Sequence, residues 1–203
     1  MTASNAQFSC QGLELVRVEG LVAGYSRPVV GPLSFTVESG EVVGLWGANG
    51  TGKSTVLNAI GRGARVFDGF VARAPGLTLA YQEQQPVRLP VMPLTGSDIM
   101  RTAGVVCREA PPTLAAMLNR RIDALSGGQY QLLCVWAALG SATDLVLLDE
   151  PTNNLDPPTE ALLIDILAAE RGRRAVLLVS HERRFLDTVC SRVLSVAAWH
   201  GGN

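Results

Sequence analysis

The 203-residue sequence has almost no net charge, since 17 lysines and arginines stand against 18 aspartates and glutamates. A chain so balanced exerts no general attraction on phosphate backbones or anionic lipid, and no bulk binding to nucleic acid or a membrane surface is expected. Cysteines are few and scattered. Cys10, Cys107, Cys134 and Cys190 lie in or beside apolar stretches without any Cys-x-x-Cys, which points to buried thiols rather than a disulfide framework or a metal site. The two histidines, His181 and His200, have no neighbouring ligand cluster, so a bound zinc is not expected. No uninterrupted apolar run approaches the roughly 18 residues that a membrane helix needs, and Met1 to Gln7 has neither a basic region nor an apolar core. A cytoplasmic protein that does not itself cross a membrane is expected. Aromatic residues make up only 5%, yet 47% of the chain is apolar, which is enough to bury a core in one domain.

The most informative stretch begins where the apolar run Val42-Val43-Gly44-Leu45-Trp46 stops at Gly47. Gly47-Ala48-Asn49-Gly50-Thr51-Gly52-Lys53-Ser54 then opens into Thr55-Val56-Leu57-Asn58-Ala59-Ile60. Strand, tight loop and helix are predicted in that order. Glycines 47, 50 and 52 let the backbone curl so that its N–H groups, with the positive end of the helix, can hold phosphate oxygens. Lys53 would reach the β and γ phosphates, and the Ser54 hydroxyl would take a place on Mg²⁺.

Upstream, Leu13 to Val18 and Leu33 to Val37 alternate as half-buried strands, and Glu38-Ser39-Gly40-Glu41 reads as a hairpin turn. Tyr25 lies in the turn Gly24 to Pro28. Its ring could stack on a purine or could equally be a surface tyrosine. Downstream, a helix over 53 to 61 gives way to strands at Phe70-Val71 and Leu77 to Tyr81, then to a polar stop and the proline-bearing stretch 86 to 95. Ser97 can cap a helix running to about Val106, and Pro111-Pro112 can start another. A small helical insertion, roughly residues 86 to 140, is expected there.

Leu125-Ser126-Gly127-Gly128-Gln129 precedes the apolar helix Leu132 to Leu139, and taken alone is a capped helix start able to face an anion. Leu145 to Leu148 is a buried strand delivering Asp149 and Glu150 at its C-terminal end, where ligands bind in open α/β sheets. Asp149 suits indirect coordination of Mg²⁺, and Glu150 can take a proton from an attacking water. Asp156 caps the next helix, with Pro157 and Pro158 in its first turn. Ala175 to Val179 is a further buried strand, followed by Ser180-His181-Glu182. A neutral imidazole there could reach a γ phosphate or the catalytic water, although locally a structural histidine fits as well.

Tyr25, Gly47-x-x-x-x-Gly52-Lys53-Ser54, Gln84, Leu125 to Gln129, Leu145 to Glu150, Asn154-Leu155-Asp156 and His181, in that order, resemble the ATP-binding cassette ATPases over nearly the whole length. The resemblance implies an α/β fold: a P-loop NTPase core with mixed sheet, an N-terminal antiparallel β subdomain and a small helical subdomain, all within one domain of residues 1 to 203. It implies ATP and Mg²⁺ as cofactors. Tyr25 would stack on adenine, residues 47 to 55 would wrap the phosphates, and Ser54, Gln84 and Asp149 would arrange Mg²⁺. Glu150 would be the general base and His181 would hold γ phosphate and water in line. In the family, Ser126, Gly127, Gly128 and Gln129 close over the ATP of a second cassette and Asp156 signals to it, so a head-to-tail dimer is expected, a homodimer or a pair with a sister cassette.

Two departures stand out. Leu132 and Ala137 occupy positions where the family commonly has arginines, which bears on subunit packing rather than chemistry. Ala80-Tyr81-x-x-Gln84 and the stretch Leu89 to Met100 are similar to importer cassettes, among them those for zinc and manganese. That implies transmembrane permease subunits and a substrate-binding protein as partners, and a location at the inner face of the cell membrane. The segments 148 to 156 and 179 to 187 are also similar to the ribosome-associated translation-factor branch, but one cassette without a long charged linker fits that branch poorly. A DNA-repair cassette fits worse, since only 40 residues separate Gln84 from Leu125, too few for its coiled-coil insertion.

Overall fold

A computed structural model describes residues 12–84, 93–105 and 109–200. Its elements in chain order are β1 (Glu14–Gly24), β2 (Pro28–Glu38), β3 (Val42–Trp46), α1 (Lys53–Ile60), β4 (Arg65–Arg73), β5 (Leu79–Gln82), α2 (Gly96–Thr102), α3 (Pro112–Leu118), α4 (Gly127–Gly140), β6 (Leu145–Asp149), α5 (Pro157–Ala168), β7 (Ala175–Ser180), α6 (Arg183–Val189) and β8 (Arg192–Ser195). They form two sheets. One is antiparallel in the order β2-β1-β4, and the other is parallel in the order β5-β6-β7-β3-β8. The antiparallel sheet is the expected N-terminal β subdomain joined by β4, and the core sheet, expected to be mixed, is parallel among the described residues.

Every residue of β6 and β7 is buried, as strands covered on both faces require. Their side chains alternate between two cores. Leu145, Leu147, Leu177 and Val179 pack with Val56, Leu57 and Ile60 of α1 and with Val16, Val18 and Leu21 of the antiparallel sheet. Val146, Leu148, Val176 and Leu178 pack with α4, α5 and α6 through residues such as Leu133, Leu163 and Phe185. Leu132 and Ala137, at the arginine positions of the resemblance, are 1% and 4% exposed. An apolar α4 thus closes the second core.

Three local expectations are corrected. Ser39-Gly40 is not a hairpin turn: β2 and β3 lie in different sheets, and Gly40, at φ +76°, passes the chain from one to the other. The cap of α2 is Thr95, not Ser97, because Thr95 and Asp98 form a reciprocal capping box while the Ser97 hydroxyl donates to the Leu118 carbonyl. That helix ends at Thr102 rather than near Val106, since Gly104 at φ +66° turns the chain away. Cys134 and Cys190 are free and buried, and burial pushes the Cys190 thiol up to about 12. Cys10, Cys107 and the Leu89 to Met92 part of the importer-like stretch lie outside the described residues.

Candidate active site

The register of the parallel sheet assembles the site. Trp46 lies beside Ser180, Asp149 beside Val179 and Gln82 beside Leu148, so the loops that follow β3, β5, β6 and β7 leave from one edge. The first carries the glycines. Gly50 and Gly52 adopt φ of +80° and +89°, and a Cβ on Gly52 would stand 2.7 Å from Val30 Cβ. On Gly47 it would meet the Val196 carbonyl oxygen at 2.7 Å. Only a bare backbone fits this curl.

Lys53, the one lysine of the chain, is 6% exposed. Its ammonium donates to the carbonyls of Gly47 and Ala48 at 2.9 and 3.1 Å and stands 3.5 Å from Glu150 Oε1. A cavity of roughly 360 Å³ opens there, walled by Val29, Asn49, Gly50, Gly52, Lys53, Ser54, Thr55, Gln84 and Glu150. It has the phosphate-cradle composition that the sequence implies. Val29 was not signalled by any motif.

The Ser54 hydroxyl donates to Asp149 Oδ1 at 2.9 Å, and the Tyr81 hydroxyl donates to Oδ2 at 3.4 Å. Burial raises the Asp149 carboxyl above its ordinary range; the Ser54 hydrogen bond opposes the shift and the neighbouring Glu150 charge adds to it. Burial, and then the charge of Asp149, raise Tyr81 as well, so its hydroxyl keeps its proton and acts as donor. Tyr81 was read from sequence as strand alone. Hard oxygen donors of Ser54, Asp149 and Gln84 around one cavity, with two carboxylates crowded at one strand tip, fit a Mg²⁺ ion.

Glu150 has φ +45°, a left-handed conformation that is uncommon outside glycine and here coincides with a candidate catalytic position. Its backbone N–H donates to the Val179 carbonyl at 3.0 Å, which anchors the turn to β7. The side chain is 7% exposed; Oε2 lies 2.9 Å from His181 Nδ1 and accepts the His181 backbone N–H at 3.4 Å. A carboxylate is thus held between an ammonium and an imidazole at the cavity wall, an arrangement able to accept a proton from water.

The remaining sequence candidates stand apart from this cavity. Ser126 and Gly127 are exposed at the start of α4, with Ser126 and Gln129 in a capping box and Gly128 packed against the Asn154 and Leu155 backbone. Asp156 caps α5 by accepting the Thr159 N–H at 2.9 Å. Tyr25 is 55% exposed in the turn between β1 and β2. None of these is among the cavity walls.

The ABC transporter family matches residues 30–153. The zinc import ATP-binding protein ZnuC of Jannaschia sp. (strain CCS1) is 36% identical over 192 residues, covering 90% of this chain and 79% of that protein. The ATP-binding protein Uup of Caulobacter vibrioides (strain ATCC 19089 / CIP 103742 / CB 15) is 30% identical over 97% of this chain, but over only 34% of its own length. Among solved structures, the ATP-binding subunit of an ABC transporter superposes with a TM-score of 0.75 at 25% identity, covering 90% of this chain and 86% of that one.

Proposed function

The chain belongs to the ABC transporter family and is an ATPase, and from that premise we propose that it powers uptake of a metal cation of the zinc type through separate permease subunits. The similarity to a zinc import ATP-binding protein along nine-tenths of the chain supports the cargo. The observation that carries the mechanism is the unbroken set of contacts joining the glycine loop to Lys53, Glu150 and His181.

In this reading residues 47 to 55 wrap the phosphates of ATP and Lys53 leaves its internal partners for the β and γ phosphates. Mg²⁺, held by Ser54, Asp149 and Gln84, would neutralise phosphate charge. Glu150 takes a proton from the attacking water, and His181 keeps water and γ phosphate in line. Tyr25 stacks on adenine. Ser126 and Gly127 are exposed and outside their own cavity, which supports closure of this helix start, residues 126 to 129, over the ATP of a second copy, with Asp156 beside the seam. The whole chain then acts as one cassette of a homodimer on the inner face of the membrane, beneath its permease and served by a substrate-binding protein.

The test is co-purification of tagged Glu150→Gln protein from its own host in mild detergent with Mg²⁺ and ATP. A multi-helix membrane protein among the recovered partners is expected. Recovery of ribosomal subunits without one would overturn the transporter reading in favour of the soluble translation-factor alternative.

A further inference from the structure

His181 poses a physical question: its side chain is 41% exposed, so packing does not hold the imidazole that the mechanism requires in one direction. Its Nδ1 contact with Glu150 Oε2 fixes one side of the ring, and the backbone has to fix the peptide that carries it. Residues 181 and 182 are the whole link between β7 and α6, and both polar backbone groups of His181 are engaged. Its N–H donates to Glu150 Oε2, and its carbonyl accepts the indole Nε1–H of Trp46 at 3.2 Å.

We propose that Trp46 is a positioning residue for the Glu150 and His181 pair, fixing the His181 peptide from the far side of the sheet edge. This rests on the roles assigned to Glu150 and His181 above. Trp46 is the last residue of β3, in register with Ser180 of the adjacent β7, which brings its side chain to the β7 to α6 link. The indole is partly buried against the core beneath α6, and the Arg183 guanidinium lies over it, 5.8 Å from the ring centroid. Arg183 is itself held by Asp187 at 2.8 Å. One ring therefore packs below, carries a cation above and donates at its edge.

Trp46 also adjoins Gly47, whose carbonyl accepts Lys53 Nζ. The phosphate loop and the histidine link are thus joined through Trp46 as well as through Lys53 and Glu150. The other end of the link is tied too: the Glu182 N–H donates to Ser180 Oγ at 3.0 Å, and Glu182 Oε1 accepts from Thr152 Oγ1 at 3.3 Å. A Phe at position 46 could keep an aromatic ring in part of that space. It could not donate.

Trp46→Phe keeps an aromatic ring and removes the donor. Turnover at saturating ATP should fall about tenfold, equivalent to about 1.4 kcal/mol and to one hydrogen bond, with KM for ATP and the melting temperature little changed. Benzothienylalanine at position 46, which has the shape of Trp without the N–H, should give the same loss and guards against a packing defect in the Phe variant. In a His181→Ala background, with hydrolysis followed over hours by radiolabelled ATP, Trp46→Phe should cause no further loss. Native turnover in either Trp46 variant overturns the proposal, as does a loss that persists undiminished without His181. Undiminished turnover in His181→Ala alone removes the role of His181 itself, a failure separable from that of Trp46.

Discussion

Replacing Glu150 by Gln removes a negative charge and a proton acceptor while leaving the side-chain shape, so its effects on binding and on turnover should have opposite signs. The carboxylate is 7% exposed and stands 3.5 Å from the Lys53 ammonium. At an effective dielectric near 20 two such charges attract by about 5 kcal/mol, an attraction that an incoming phosphate must replace. Most of it is regained by the phosphate, and the desolvation of both charges offsets much of the remainder. In Glu150→Gln, Lys53 keeps only the Gly47 and Ala48 carbonyls, and the γ phosphate no longer faces a carboxylate. ATP should therefore bind several-fold more tightly. Turnover should fall by roughly 10²–10⁴, about 2.7–5.4 kcal/mol of lost transition-state stabilisation, because the amide cannot take the proton. Phosphate release at saturating Mg²⁺ and ATP gives the turnover, and nucleotide titration of the same protein gives the affinity. Turnover within threefold of native would remove Glu150 as the base, and weaker ATP binding would refute the charge argument.

Three further perturbations address the loop, the metal carboxylate and the core. Gly52→Ala places a methyl group at φ +89° and 2.7 Å from Val30 Cβ, so ATP affinity should drop at least tenfold and stability by about 1–2 kcal/mol or more, read by nucleotide titration and thermal unfolding. Asp149 has its carboxyl raised, so the folded state holds the proton more tightly than the unfolded one; that contribution is complete below the ordinary range near 4 and is lost as pH rises through the raised value. Asp149→Asn should accordingly raise the nucleotide-free melting temperature at pH 7, by an amount that shrinks as pH falls toward 4, and no gain at pH 7 would contradict the burial argument. Leu132→Arg puts the resemblance's arginine into a site only 1% exposed, and urea unfolding should report a loss of about 3 kcal/mol or more. Native stability in that variant would mean that the fold supplies a guanidinium partner there.

Features with a local physical cause were legible in the sequence. The glycines of the phosphate loop can be read because their φ and close approaches admit little else, and Asp156 because a carboxylate before Pro157 suits a helix start. Competing local signals were harder: Thr95 and Ser97 both can cap, and the Asp98 carboxylate decides for Thr95 by closing the box. The turn at Ser39-Gly40 carries hairpin residues, but whether it pairs its flanking strands depends on β7 and β8 taking both sides of β3. The contacts that organise the site span far longer separations. Ser54 meets Asp149 across 95 residues and Trp46 meets His181 across 135, and an apolar residue ending a buried strand reads only as core. Sequence patterns indicate which residues can bear chemistry, while register decides which of them touch.

The charges of the site stand against one another. Lys53 is shared by two carbonyls and Glu150, Asp149 accepts from Ser54, and Glu150 contacts His181. In the proposed mechanism Lys53 exchanges its contact with Glu150 for the phosphates, while Glu150 keeps its contact with His181. Transfer of Lys53 to the phosphates therefore both binds ATP and frees the carboxylate from its ammonium partner. The positive φ of Glu150 keeps its carboxylate at the cavity wall throughout, and the backbone anchors of His181 keep the imidazole beside it. Glu150 therefore has two partners with different fates in this mechanism: the Lys53 ammonium, which leaves for the phosphates, and His181, which stays to orient the carboxylate toward the attacking water.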